Sequence, residues 1–363
     1  MVKTIGVMTS GGDCAGLNTA IWGVTVGALK RGWKVYGIHN ATDGLFARPL
    51  RYQELTAKSF EFPFARLGGT MLGTTNAGNP HIQIKEDGTL EDLTDQQLVD
   101  RFKEGIQKLG LDAIVLIGGD GSMAIVSRYC KMAGIALIGI PKTVDNDAPG
   151  TECSIGFATA KQVVVEALDK LDTTAQSHNR FMIAEVMGRG AGHLALQSAI
   201  AGQADVVLIP EIPYTYEKVV EKLRSVRAGG RRHGLIVVAE GLKTPDGKHY
   251  FAANGKTFAG ISEYFVDRLQ QEPDRFNVRA TVLGHVQRSG DPVAEDRILA
   301  SGFAVRAIQL LAEGKTNRVV VYQNGRIHDM GLDEVLAISN SPVIPTGDMI
   351  KIAQGLGMYV GDV

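Results

Sequence analysis

Two periods alternate along this chain. Short apolar runs recur at Thr4–Met8, Lys34–Ile38, Ala113–Ile117, Ile135–Ile140, Phe181–Glu185, Val206–Ile209, Leu235–Ala239 and Arg318–Tyr322. Runs of this length predict buried strands. Helical periodicity fits Asn18–Lys30, Asp95–Leu109, Ser122–Met132, Ala158–Thr174, Tyr216–Arg227, Ile261–Gln271 and Asp296–Ala312. Alternation of this kind predicts parallel sheets covered by helices on both faces. The strands suffice for two such layers, with a soft division near Gly150–Ser154. The polar stretches Lys85–Gln97 and Thr244–Lys256 read as surface insertions, and no longer-range repeat is evident.

Composition narrows the class. The 363 residues allow two domains and a sizeable core. A net charge of −1 gives no footprint for nucleic acid or an anionic membrane. Cys14, Cys130 and Cys153 lack metal spacing and fit a reducing compartment. Val2–Thr9 is apolar but runs straight into a glycine turn, as a first strand does and a secretory leader does not. No apolar run approaches the roughly 20 residues of a membrane helix. The expectation is a soluble, cytoplasmic protein, with Trp22, Trp33 and the methionines in its core.

Chemistry concentrates in loops at strand ends, where open α/β sheets bind ligands. Pro141-Lys142-Thr143-Val144-Asp145-Asn146-Asp147 follows an apolar strand and gathers two carboxylates, a hydroxyl and an ammonium. Asp145 is suited to accept a proton from a hydroxyl, Asp147 to help hold a metal, and Lys142 to neutralise phosphate. An Asx-rich turn without function has the same composition. Three glycine loops also follow strands: Gly11-Gly12-Asp13, Gly118-Gly119-Asp120-Gly121-Ser122 and Met187-Gly188-Arg189-Gly190. Such loops bring backbone N–H groups close to an anion, although the first is equally an ordinary strand-to-helix turn. Asp120 is placed to reach a magnesium ion, and Arg189 to stabilise a phosphoryl group in transfer. Arg279, His285 and Arg288 suit a phosphate monoester or a solvated basic face. Glu240, at a strand end, suits sugar hydroxyls. The basic residues of Arg224–Arg232 read as a solvated face.

With these words in order (TSGGDCAGLN, GGTMLGTTN, IGGDGS, PKTVDND, GFATA, SHNR, EVMGRGAGHLAL, PEIPY, RATVLGHVQRSG), the chain resembles the phosphofructokinase family over nearly its whole length. The resemblance implies two similar three-layer α/β domains with mainly parallel sheets and the active site in the cleft between them. Residues 1–156 with about 287–337 would bind the donor; residues 157–286 with about 338–363 would bind fructose 6-phosphate. It implies magnesium-dependent phosphoryl transfer to the 1-hydroxyl of fructose 6-phosphate, giving fructose 1,6-bisphosphate. Asp145 is then the base, with Thr143 and Arg189 on the transferring group. Gly11, Gly12, Gly119, Asp120, Gly121, Ser122 and Lys142 hold the donor, with Asp120 serving Mg2+. Asp147, Met187, Gly188, Glu240, His285 and Arg288 hold the sugar phosphate. Arg180 and Arg279 match arginines that reach it from a neighbouring subunit, implying a homo-oligomer, dimer or tetramer, with shared sites.

Two departures stand out. Trp22, Val26 and Asp172 occupy the place of a basic effector site, which argues against control by ADP or phosphoenolpyruvate there. Asn76 replaces an arginine that contacts phosphates. For the donor, Gly121 leaves room for the α-phosphate of ATP, whereas Lys142 resembles the pyrophosphate-type word. A lysine neutralises either donor, while a carboxylate at 121 would repel an α-phosphate, so the balance favours ATP over pyrophosphate. Lipid and NAD kinases share GGDG but lack PKTVDND and MGR. A catalytically silent paralogue would be expected to lose Asp145, Asp147 or Arg189, and all three are present.

Overall fold

The computed structural model describes residues 2–60, 63–75, 94–250 and 260–363, and the backbone of 82–84 and 90–92. Asn76 and parts of Lys85–Gln97 and Thr244–Lys256 lie outside the described residues. The chain runs through β1 (Thr4–Ser10), α1 (Leu17–Leu29), β2 (Lys34–Ile38), α2 (Asp43–Phe46), β3 (Tyr52–Glu54), β4 (Ile82–Ile84) and β5 (Leu90–Asp92). Next come α3 (Asp95–Leu109), β6 (Ala113–Gly118), α4 (Asp120–Ala133), β7 (Ala136–Pro141), α5 (Phe157–His178), β8 (Phe181–Val186), α6 (His193–Ala201) and β9 (Val206–Leu208). They are followed by α7 (Tyr216–Ala228), β10 (Gly234–Ala239), α8 (Ile261–Gln271), β11 (Val278–Val282), α9 (Ala294–Ala312), β12 (Arg318–Gln323), β13 (Arg326–Gly331), α10 (Leu332–Ala337) and α11 (Asp348–Gly355). The fold is α/β with mainly parallel sheets.

Two compact units emerge. The first comprises Met1–Thr143, Ala148–Gly156 and Gly290–Asn340; the second comprises Val144–Asp147, Phe157–Ser289 and Ser341–Val363. The first unit holds a sheet ordered β13-β12-β7-β6-β1-β2-β3, parallel from β12 to β2 and antiparallel at both edges. Every residue of β6 is buried, as a strand covered on both faces requires. Helices α3, α4 and α10 cover one face, contributing Phe102, Met123 and Val335 to a core with Leu116 and Val319. Helices α1 and α9 pack together over the other. Register pairs Ser10 with Gly118 and Gly118 with Pro141. The carboxyl ends of β1, β6 and β7 therefore stand level, and so do the loops that leave them.

The second unit has an all-parallel sheet ordered β11-β8-β10-β9. Helices α7 and α8 pack on one face through Val219, Leu223, Phe265 and Leu269, against Phe181 and Ile236. Helices α5 and α6 lie against β10 from the other side. Val186 pairs with Ala239 and Glu185 with Val282, so three more strand ends stand level.

Not every core expectation holds. Trp22 is 37% exposed, and Met132 and Met349 also face outward. Helix α1 is already buried along the face that meets α9, and Trp22 and Val26 stand one turn apart at its less buried margin. With Val305 they line a groove of about 500 Å3. Among the described residues, no helix is long and apolar enough to cross a membrane.

Candidate active-site residues

In the first unit, the loop after β1 is held open by glycine. Gly11 has φ +86°, where a Cβ is strained, and that Cβ would lie 3.1 Å from Lys142 Nζ and 3.2 Å from Ser122 Oγ. Gly11 N–H donates to Thr75 C=O at 3.0 Å, and Thr74 Oγ1 donates to Gly11 C=O at 2.5 Å. Lys142 is 3% exposed, with Nζ donating to Gly12 C=O at 2.5 Å. Its own backbone is fixed by Lys142 N–H to Gly118 C=O at 3.1 Å. Thr143 is tied through its N–H to Ile155 C=O at 3.2 Å and its C=O to Ser154 Oγ at 2.8 Å. Gly11, Gly12, Ser122 and Lys142, far apart in sequence, thus come together.

Helix α4 starts at Asp120, directly after Gly119, and its first N–H groups have no acceptor within the helix. A buried ammonium beside the unbonded N–H groups of a helix N-terminus is chemistry suited to a polyphosphate. Among the described residues nothing lies within 4 Å of a Cβ placed on Gly121, so the space beside that helix start is open. Asp120 is an exposed carboxylate there, and no three His, Cys, Asp or Glu residues gather among those described. That donor set fits a hard divalent cation held mainly by phosphate oxygens and water, with few protein ligands.

In the second unit, Asp145 is 5% exposed. Burial first, and then the neighbouring Asp147 and Glu240 carboxylates, push its pKa up to about 6 against the pull of Arg288 and Arg189. These five charged groups therefore share one electrostatic neighbourhood. Arg189 has φ +49°, and its N–H donates to Glu240 Oε1 at 3.1 Å. Gly188 has φ +148°, and a Cβ on it would meet Ala191 C=O, which explains the glycine in this tight loop. Met187 N–H donates to Gln287 Oε1 at 3.1 Å, and Gln287 Nε2 donates to Gly284 C=O at 2.9 Å. The segment Gly284–Arg288 is thereby fastened beside Met187, with His285 exposed and Arg288 half-buried.

Arg180 and Arg279 are elsewhere. Arg180 immediately precedes β8, and Arg279 is the second residue of β11, paired with Met182. Both stand at the amino ends of strands whose carboxyl ends carry Met187 and Leu283. At strand rise, Arg180 lies about 23 Å from Met187 and Arg279 about 13 Å from Leu283 along their own strands. Arg279 is exposed, and Arg180 Nε is buried without a hydrogen-bond partner among the described residues.

Residues that hold the loops escaped the sequence reading. Gln287, an uncharged residue between His285 and Arg288, carries no signal of its own in the sequence. Glu185, buried in β8, accepts from Ser262 N–H at 2.9 Å and Ser262 Oγ at 2.6 Å, fixing the start of α8. A charge inside an otherwise apolar strand was the available signal. Asp296, 1% exposed in the first turn of α9, accepts from Gly156 N–H at 2.8 Å.

The sequence profile of the family described as Phosphofructokinase matches residues 4–311. The chain is 43% identical over 365 residues to ATP-dependent 6-phosphofructokinase 1 of Synechocystis, covering 99% of both chains. Among solved structures, phosphofructokinase from Saccharomyces cerevisiae superposes with a TM-score of 0.77 at 27% identity, over 92% of this chain and 45% of that longer one. The chain thus spans about half the length of that neighbour. The pyrophosphate-dependent phosphofructokinase of Nitrosospira multiformis gives a TM-score of 0.80 at 19% identity, covering 99% and 93%, a likeness of fold alone.

Proposed function

This chain belongs to the phosphofructokinase family, and we infer that it is an ATP-dependent 6-phosphofructokinase, transferring the terminal phosphoryl group of ATP to the 1-hydroxyl of fructose 6-phosphate. The products are ADP and fructose 1,6-bisphosphate. The observation that best supports the chemistry is Asp145, a buried carboxylate whose pKa burial and the Asp147 carboxylate raise to about 6 despite Arg288 and Arg189. At neutral pH it is mostly ionised yet more basic than a solvated aspartate, as a general base needs.

In this mechanism Asp145 takes the proton of the 1-hydroxyl as that oxygen attacks phosphorus. Arg189 and Thr143 stabilise the transferring group. Lys142 and the N–H group of Gly12 offset charge on the donor phosphates, with Gly11 holding its loop open and Gly119, Gly121 and Ser122 lining the neighbouring one. Asp120 would hold Mg2+, which when bound to the donor screens phosphate charge. Asp147, Met187, Gly188, Glu240, His285 and Arg288 bind the sugar phosphate. The first unit is the donor domain and the second the acceptor domain. Arg180 and Arg279 serve the acceptor site of an adjacent subunit in a homo-oligomer, and the enzyme works in the cytoplasm.

ATP is favoured over pyrophosphate because the side of Gly121 is open and the relative 43% identical over both full chains is ATP-dependent. Lys142 is engaged with Gly12 C=O and clamps the glycine loop, a task compatible with either donor. Purified protein given fructose 6-phosphate and magnesium should turn over with ATP and not with pyrophosphate. Turnover with pyrophosphate alone would reverse the donor assignment; turnover with neither would remove the activity.

A further inference from the structure

The turn after β9 carries Glu211, one residue beyond Pro210. Its Oε1 accepts two backbone N–H groups, Gly192 at 2.8 Å and Val343 at 2.8 Å. Gly192 is the N-cap of α6 and closes the loop that bears Arg189. Val343 belongs to the segment by which the chain re-enters the second unit at Ser341. That segment makes two further bonds. Ser341 N–H donates to Asp147 C=O at 2.9 Å, and Ser341 C=O lies 2.9 Å from His193 Nε2. A carbonyl only accepts, so His193 carries its proton on Nε2.

These contacts close a ring. Asp147 is held by Ser341, Ser341 by His193, His193 adjoins Gly192, and Gly192 is joined through Glu211 back to Val343. The loop of Asp145 and Asp147 is thereby splinted to the loop of Arg189 by a third stretch of chain. The ring is tight: a Cβ on Gly192 would lie 2.8 Å from Glu211 Oε2 and within 2.5 Å of Ile209 Cγ2. Glu211 Oε2 is itself buried with no hydrogen-bond partner among the described residues. Stability alone does not explain such a group, because an unsatisfied buried carboxylate oxygen is unfavourable. Its charge faces the N-terminus of α6, which offsets part of that penalty.

We propose that Glu211, with His193, is a positioning residue of the phosphoryl-transfer site, setting Arg189 relative to Asp145 by bonding to backbone at both ends of this splint. The proposal rests on the phosphotransferase reading above. It follows from the sensitivity of in-line transfer to geometry, where a shift of about 1 Å costs on the order of 100-fold in rate.

The test uses the full-length enzyme and compares Glu211→Gln, Glu211→Ala, His193→Ala and the double alanine variant. Rates are expressed per site occupied by fructose 6-phosphate, counted by equilibrium binding, so that misfolded protein does not enter the rate. Glu211→Ala should lower kcat by about 10- to 100-fold while KM for ATP stays within about twofold. Glu211→Gln keeps an Oε1 acceptor and should recover to within about threefold of wild type. Loss in the double variant should fall well short of the product of the single losses, because both residues fix one segment. A folded Glu211→Ala with wild-type kcat per occupied site overturns the proposal, as do multiplicative losses. If Glu211→Ala does not fold, an undiminished kcat in His193→Ala overturns it as well. A wild-type enzyme inactive with both donors would instead remove the phosphotransferase reading, so the two failures are distinct.

Discussion

Asp145 carries opposite consequences for catalysis and stability. Its folded pKa is about 6 against 3.8 for a free aspartate, chiefly through burial. Between these values the folded state binds more protons than the unfolded state, so the group's contribution to stability falls as pH rises from about 4 to about 6 and stays low above. Asp145→Asn should therefore be more stable than wild type at pH 7 by on the order of 2–3 kcal/mol, with the gain vanishing below about pH 4. Urea unfolding at pH 4 and 7 measures this, and a gain of equal size at both pH values would contradict it. The same variant should lose about 10²–10⁴-fold in kcat while still binding fructose 6-phosphate, as removal of a general base does. Gly121 offers a second residue-scale prediction. A Cβ there meets open space, and a carboxylate is favourable in the first turn of a helix, so Gly121→Asp should fold normally. It should abolish most ATP turnover by bulk and like-charge repulsion, while any pyrophosphate turnover survives or rises. Parallel assays with both donors check it, and undiminished use of ATP would deny Gly121 its part in donor choice.

At the scale of elements, each loop is only as well placed as the helices and strands that end beside it. Gly156 has φ +103°, its N–H is held by buried Asp296 in the first turn of α9, and a Cβ on it would lie 2.5 Å from Cys14 Cβ. Asp296→Ala should cost about 1.5–3 kcal/mol, the range for a hydrogen bond to a charged group, and Asp296→Asn clearly less. Chemical denaturation of the three proteins decides it; equal stability would leave Asp296 without that role. Such ties were not legible in the sequence, because hydropathy marks Asp296 only as one polar residue in a helix. The long parallel strands and amphipathic helices were legible, since β2, α3 and α8 coincide with their apolar periods. Helix α6 was not, because its exposed positions are few and apolar residues surround it on all sides. Strands β11 and β13 are partly exposed sheet edges, so polar residues interrupt both. For β13 a signal existed in Asn324-Gly325, which adopt φ +51° and +74° in the two-residue turn between β12 and β13. Reading by apolar runs passes over that turn. The strand-end loops were legible as chemistry, whereas Gln287, Glu185 and Glu211, which hold them, act on backbone and leave little trace in composition.

At the scale of the whole molecule, Arg180 and Arg279 make the sharpest claim. They occupy the amino ends of β8 and β11, opposite the strand ends that carry Met187 and Glu240, and neither is among the charges that shift Asp145. Their alternative is to serve the acceptor phosphate of a neighbouring copy, which requires an interface related by symmetry. Each charge-assisted bond to phosphate is worth about 1.5–3 kcal/mol, so Arg279→Ala should raise KM for fructose 6-phosphate by at least about tenfold. With sites shared in this way, Asp145→Asn would disable a site from within its own chain, whereas Arg279→Ala would disable the site of the neighbour. In a hybrid pair the two defects fall together in one site and leave the other with both wild-type residues. Unfolding the two variants together at equal amounts and refolding them should make roughly half of the pairs hybrids, each with one intact site. Activity at low fructose 6-phosphate should then return to roughly a quarter of wild type, while either variant refolded alone stays at or below about a tenth. Recovery should depend on subunit exchange and be absent from mixtures never unfolded, unless subunits exchange freely. If co-refolded protein is shown to contain hybrids and still lacks activity, Arg279 acts within its own chain or not at all, and the shared site is lost with it.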